Sequence, residues 1–384
     1  MKKRIIIVTN KMQRGGVESA LIPMLQVLVS QQYDITLLLI HRGGEWESRI
    51  PQGIMVEYAD AIANPKEEII SLVKKGKFIS AFIKAYYTFR VIHSKSPLIQ
   101  SSYQSKLYHK SRDSYDIAIS YYTPTGIPTF IVKNRINAKE KIVWIHFDIS
   151  MTLQYSKKMS GLFNSYNQII CVSKDARDSF IHFLRNNKNI SKKTFISYNL
   201  LDTERIDRLK DEVCSQYDIC SVGRLVKCKG FDIAIKALRI LQDKGLKLSW
   251  AVCGGGYEEE RLKKLIAENQ LEDSFFLLGS QDNPYKFINH SRIYVQTSLN
   301  EGYCLALQEA RYLKKPIITT RFSGALEQII DGETGLIVEA TPEAVSRSIE
   351  QLINNAELQS TLIRNLQKSR ADNTSYNVSY YLEH

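Results

Sequence analysis

At 384 residues, 44% hydrophobic and 24% charged, the chain has the composition of a globular protein of about two domains. The apolar run after Lys2, Lys3 and Arg4 stops at Val8, short of the about 7–15 residues of a secretory signal and the about 20 of a spanning helix, and no longer run follows, which points to the cytoplasm. The formal charge of +12 is a local excess, because no Asp or Glu lies between Ile69 and Arg112, so a general polyanion-binding surface is excluded.

In chain order, short β-branched runs alternate with longer amphipathic segments, the signature of parallel α/β layers. The spacing predicts strands at RIIIVT, DITLLLI, IMVEYA, DIAIS, KIVWIH, QIICV and TFISY. A second series follows at YDICSV, LKLSWAVC, FFLLG, RIYVQT and PIITT. Continuous apolar runs of this kind suit strands buried on both faces. Between the two series lies the polar stretch NLLDTERIDRLKDEVCSQ, which sets a boundary near Asn199. The reading is therefore two doubly wound domains, 1–198 and 199–355, with a helix of about 356–381 returning to the first. The closing Leu382-Glu383-His384 reads as a cloning remnant and is set aside. The cysteines show no C-x-x-C pair and no zinc spacing with histidine, which makes them reduced structural thiols.

Glycines punctuate the strand-to-helix turns. Gly15 and Gly16, in TNKMQRGGVES, precede a segment with helical apolar spacing, where a ligand could approach free helix N–H groups. This is not G-x-G-x-x-G, and strand two ends in His41-Arg42 with no acid to hold a ribose, so a dinucleotide site is disfavoured. A tight βα turn explains the glycine pair equally well. In the second series, Gly223-Arg224 and Lys229-Gly230 lie in the loop leaving YDICSV. Two fixed cations at a parallel strand's carboxyl end suit a diphosphate. Gly254–Gly256 form another strand–glycine–helix turn. After RIYVQT, Glu301 falls in a loop and Glu309 on the helix that follows. Carboxylates there suit a hydroxyl-rich ligand, although Glu309 alone would ordinarily be a solvated helix face.

Together GRLVKCKGFD, NEGYCLALQEA and KKPIITTRFSGALEQIIDGETGLIV run unbroken from Gly223 to Val338 and resemble the family 4 retaining glycosyltransferases of the GT-B fold. RGGVE, VWIHFD, NQIICVSKDARDSF and NLLD extend the resemblance, less densely, over most of the chain. It implies two Rossmann-like domains with an interdomain cleft. Arg224 and Lys229 would grip the donor diphosphate, with Gly223 in the same loop. Glu309 would bind the ribose, and Glu301 the far side of the donor sugar. Backbone N–H groups of Gly302, Tyr303, Cys304 and Leu305 would meet sugar and phosphate oxygens. Gly254 and Glu327 would border the donor, His146 would reach the sugar, and Gly15 and Gly16 would line the phosphate and acceptor side.

Ser323-Gly324 stands in place of the usual Gly-Gly and Tyr303-Cys304 in place of Phe-Gly, so donor identity is not carried over. The resemblance implies retention of configuration, transfer of a hexose or N-acetylhexosamine from a UDP-sugar, and a cell-envelope glycan or lipid-linked acceptor. No cofactor and no metal are expected, since Asp-x-Asp is absent and two cations do a metal's work. The basic segment mixes Phe78, Phe82, Tyr86, Tyr87 and Phe89 with lysines and reads as an interfacial helix for an anionic membrane surface at the inner face of the plasma membrane. A helix packed on its own domain is the plainer reading. Nucleic acid is not an expected partner, because no reader module is present. Two other functions fit a GT-B chain: a non-catalytic glycan- or membrane-binding scaffold, disfavoured by the intact Arg224, Lys229, Glu301 and Glu309, and a nucleotide-sugar epimerase, disfavoured by the Glu301…Glu309 spacing.

Overall fold

The computed structural model describes residues 2–59, 65–146, 157–369 and 382. Phe147 and Asp148 of the VWIHFD segment, and residues 370–381 of the expected C-terminal helix, lie outside them. The chain divides into two compact units, with the division between Leu200 and Leu201.

The first unit holds β1 (Arg4–Thr9), α1 (Gly16–Ser30), β2 (Asp34–Leu39), β3 (Met55–Tyr58), α2 (Pro65–Lys74), α3 (Phe78–His93), α4 (Pro97–Ser105), β4 (Ser114–Tyr121), α5 (Ile127–Asn134), β5 (Asn137–Ile145), α6 (Lys157–Asn164), β6 (Gln168–Cys171), α7 (Lys174–Phe183), α8 (Lys188–Ser191) and β7 (Thr194–Ile196). Its strands make one parallel sheet in the order β3-β2-β1-β4-β5-β6-β7. The run Ile5–Val8 is wholly buried because β1 sits centrally with a layer on each face. β5 starts earlier than the apolar run KIVWIH, since the polar Asn137–Lys141 already pairs with β4. Leu382 also belongs to this unit: it is buried, and its carbonyl accepts from Lys3 Nζ at 2.9 Å.

The second unit holds α9 (Thr203–Leu209), β8 (Ile219–Val222), α10 (Phe231–Asp243), β9 (Trp250–Cys253), α11 (Glu259–Glu268), β10 (Phe275–Leu277), α12 (Tyr285–His290), β11 (Ile293–Gln296), α13 (Leu305–Tyr312), β12 (Ile317–Thr320), α14 (Ser323–Gln328), β13 (Leu336–Val338), α15 (Pro342–Ile353) and α16 (Ala356–Lys368). Its parallel sheet runs β10-β9-β8-β11-β12-β13. α10 buries Phe231, Ala234, Leu238 and Leu241 at helical spacing, each worth up to about 1.5–3 kcal/mol for the large side chains. α16 sits beside α15 and sends Leu362 and Leu366 into this unit's core.

Both sheets reverse strand order beside their first strand, between β1 and β4 and between β8 and β11. Open α/β sheets bind ligands at the carboxyl ends of the strands flanking such a reversal. Two parallel sheets of this winding on one chain are the two Rossmann-like domains expected of a GT-B fold.

Candidate functional site

The loops leaving β8 and β11 meet at the second unit's reversal point. Thr297 Oγ1 donates to the Lys229 carbonyl at 3.0 Å, and Leu299 N donates to the Cys228 carbonyl at 2.7 Å. Gly230 has φ +63°, and a Cβ there would lie 2.1 Å from the Thr297 carbonyl oxygen, so only glycine lets the loops close. Across this junction Lys229 Nζ pairs with Glu301 Oε1 at 2.7 Å, the side chains being only 12% and 15% exposed. Burial alone would lower the Lys229 pKa, but the adjacent Glu301 carboxylate outweighs it and raises it, so the ammonium stays charged. The Lys229 stem runs over Gly223, where a Cβ would stand 3.3 Å from its Cδ and Cε. Arg224 projects from the same loop and is exposed.

Glu301 also accepts from Ser298 Oγ at 2.5 Å and Gln296 Nε2 at 3.4 Å. Glu309 is buried on α13, against the plainer reading of a solvated helix face. Gly302, Tyr303 and Cys304 lead into α13, with Cys304 at its N-cap and Leu305 its first residue, so the helix's unpaired N–H groups open beside Glu301. Burial and the Glu301 charge push the Cys304 thiol up, leaving it protonated. The Ser323-Gly324 pair has a packing reason: a Cβ on Gly324 would stand 2.9 Å from the Gly302 carbonyl, and Ser323 Oγ donates to the Glu301 carbonyl at 3.2 Å. Glu327 lies half-buried on α14. Gly254 follows β9, with its N–H on the Gly279 carbonyl at 2.8 Å and its Cα against the Gly223 carbonyl, so it packs loop on loop. Of the cysteines, Cys171, Cys220, Cys253 and Cys304 are buried, but Cys228 beside Lys229 is exposed.

Gly15, Gly16 and His146 stand on the first unit. Gly15 is the N-cap of α1 and Gly16 its first residue. Glu18, in the first turn, is buried and folds back so that a Cβ on Gly15 would lie 2.7 Å from its Oε2. A carboxylate thus already occupies the positive end of this helix, which favours a neutral ligand there over a phosphate. RGGVE contained this residue, and its place three positions after the cap was the signal for it. His146 follows β5 with its ring 4.4 Å from that of Tyr121. Its Nε2 is buried without a partner among the described residues, and burial pushes its pKa down to about 3, so the ring is neutral at physiological pH.

The basic segment folds as α2–α4. Lys84 pairs with Glu68, and Arg90 and Lys106 lie over the rings of Tyr103 and Tyr87, each at 4.9 Å. Those contacts hold the inner face, while Phe78, Ile79, Phe82, Ile83, Phe89 and Ile92 turn outward, Ile79 79% and Phe82 74% exposed. No helix among the described residues is long and apolar enough to cross a membrane, and no three His, Cys, Asp or Glu side chains among them could jointly hold a metal ion.

Residues 202–369 match the family model for glycosyl transferases group 1. An uncharacterised glycosyltransferase of Methanocaldococcus jannaschii is 29% identical over 61% of this chain and 61% of its own. The capsular polysaccharide biosynthesis glycosyltransferase CapM of Staphylococcus aureus is 32% identical over 38% of this chain and 39% of its own. A Campylobacter jejuni 4-alpha-N-acetylgalactosaminyltransferase, named for a diphospho-undecaprenol-linked sugar, is 34% identical over 47% of this chain and 49% of its own. The chain therefore spans between about two fifths and three fifths of these three relatives. Among solved structures, Staphylococcus aureus TarM crystallised with fondaparinux, alpha-GlcNAc-glycerol and UDP superposes with a TM-score of 0.71 at 15% identity, over 99% of each chain. Anabaena HepE with UDP and glucose gives 0.70 at 17%, again over 99% of each. These likenesses are of fold.

Proposed function

We propose that this chain, a member of the glycosyl transferases group 1 through residues 202–369, moves a hexose or N-acetylhexosamine from a nucleotide diphosphate sugar to a cell-envelope glycan or lipid-linked acceptor, with retention of configuration. The observation that carries the reading is the buried Lys229–Glu301 pair at the β8/β11 reversal, with exposed Arg224 in the same loop. A charged lysine and an arginine at the carboxyl end of a parallel strand fit a diphosphate, and a carboxylate beside them fits sugar hydroxyls. UDP is the favoured nucleotide, supported by the UDP in the TarM and HepE crystals. The acceptor class is supported by the capsule and diphospho-undecaprenol relatives.

In this reading Arg224 and Lys229 hold the phosphates, Glu309 takes the ribose, Glu301 the donor sugar, and the N–H groups at Gly302–Leu305 the remaining oxygens. Gly223, Gly254 and Glu327 shape these loops. On the first unit taken by itself, Gly15, Gly16 and neutral His146 suit a neutral, hydroxyl-bearing ligand. No side chain is placed as a nucleophile. The bond from the anomeric carbon to the phosphate oxygen breaks as the acceptor oxygen bonds to the same face, and the departing phosphate oxygen takes the acceptor's proton. The two cations stabilise the charge growing on the leaving group, so the step needs no metal.

The outward face of α3, with Lys74, Lys75 and Lys77 in the stretch just before it, is proposed to rest on an anionic membrane surface from the cytoplasmic side, where each basic residue near the surface is worth about 1 kcal/mol. The test of function is a panel of UDP-, GDP- and ADP-sugars without acceptor, scored for free nucleotide. Slow release from one of them, with thermal stabilisation by its nucleoside diphosphate, is expected. Silence with all would refute the transferase reading.

A further inference from the structure

We infer that Ser298 and Gln296, with Tyr294 behind them, are positioning residues that hold one oxygen of Glu301 fixed and present the other to the donor sugar. This rests on the reading of Glu301 as the carboxylate that takes donor hydroxyls. Tyr294 and Gln296 are alternate residues of β11, and Ser298 is the next in that alternation beyond its end, so all three belong to one side of the strand. All three are buried. Tyr294 Oη donates to Gln296 Oε1 at 2.5 Å, Gln296 Nε2 donates to Ser298 Oγ at 2.7 Å, and Ser298 Oγ donates to Glu301 Oε1 at 2.5 Å. An ionised carboxylate only accepts, so the direction of every bond in the string is dictated from the Glu301 end. Burial keeps the Tyr294 phenol protonated and therefore a donor at the other end.

Three donors among the described residues converge on a single atom of Glu301. Lys229 Nζ, Ser298 Oγ and Gln296 Nε2 all address Oε1. The Cys304 thiol, a weak donor, also lies beside the carboxylate. None of these three bonds uses Oε2, the oxygen we assign to a ligand hydroxyl. The string also has a use that the ion pair cannot serve. When a diphosphate shares Lys229, the lysine no longer holds Glu301 alone, and Ser298 and Gln296 keep the carboxylate oriented. Burying such a string is costly unless every member is satisfied, and here each link is made.

The test compares wild type with Ser298→Ala, which removes the 2.5 Å bond with little change of volume. Titration calorimetry measures Kd for the sugar nucleotide that wild type hydrolyses fastest and for its nucleoside diphosphate, alongside kcat and the melting temperature. The expected result is an unchanged melting temperature and diphosphate Kd within about twofold, while the extra affinity contributed by the sugar and kcat each fall about tenfold. Gln296→Met, which removes the longer bond, shows the same pattern at about threefold and serves if Ser298→Ala does not fold. Wild-type sugar affinity and kcat in both variants would overturn the inference, as would equal losses for diphosphate and sugar nucleotide. Wild type binding no nucleotide at all is a different failure, since it removes the functional reading first.

Discussion

Lys229→Met keeps the aliphatic stem that lies against Gly223 and removes the ammonium. Glu301, 15% exposed in the wild type, then keeps Ser298 at 2.5 Å and the more distant Gln296 at 3.4 Å among the described residues. Exposed ion pairs contribute about 0–1 kcal/mol, but stripping one partner from a buried pair costs about 3–5 kcal/mol. With two hydrogen bonds remaining, the lower end applies, about 3 kcal/mol. Urea denaturation of the full chain, fitted as two transitions, should show one unit losing this amount and the other nothing. Lys229→Met/Glu301→Gln should recover most of it, because no unpaired charge remains. The Lys229 pKa is raised on folding, so the pair's contribution is fully present below lysine's ordinary value of about 10.4 and fades as pH climbs through the higher folded value. The gap between wild type and Lys229→Met should therefore hold between about pH 7 and 9 and shrink at more alkaline pH. A single variant within about 0.5 kcal/mol of wild type at pH 7, or a double variant no better than the single, would refute the reasoning.

Arg224→Ala should leave the unfolding curve unchanged, because the side chain is exposed, yet weaken nucleoside diphosphate binding about 10- to 100-fold by calorimetry. His146 should show no imidazole titration by NMR between about pH 5 and 8; since burial lowers its pKa, the unfolded chain binds that proton first, and stability should fall as pH drops below about 6.5. Phe82→Glu should reduce sedimentation with phosphatidylglycerol vesicles at least about tenfold, while hydrolysis of a sugar nucleotide free in solution stays at the wild-type rate. Equal vesicle binding by this variant would detach α3 from the membrane assignment.

The strands were readable because both sheets are parallel and doubly covered, which turns central strands such as β1 and β9 into uninterrupted apolar runs. β13 escaped notice: it is three residues at a sheet edge, and only Ile337 is buried. The polar start of β5 was equally silent, because its pairing with β4 comes from backbone hydrogen bonds and not from burial. At the second unit's reversal point, glycines and charges stand out by residue type, so Gly223, Arg224, Lys229 and Glu301 could be singled out in the sequence, while their roles and that of Glu309 are what the resemblance implies. The burial of Glu309 could not be read there, because helical periodicity does not say which face of α13 a neighbour covers. The Tyr294–Gln296–Ser298 string was hidden for a related reason. In RIYVQTS the apolar count suggests a core strand, and its polar members connect only once alternate residues are seen to share a face. In the basic segment composition identified the aromatic residues, but only the packing of α2 and α4 separates the outward Phe82 from the covered Ala81.

A crystal of the full chain soaked with the sugar nucleotide it hydrolyses tests the central claim most directly. The account predicts diphosphate oxygens about 3 Å from the Arg224 guanidinium and Lys229 Nζ, with a sugar hydroxyl on Glu301 Oε2. Phosphates seated away from the loop after β8, with Lys229 still paired to Glu301 alone, would contradict it.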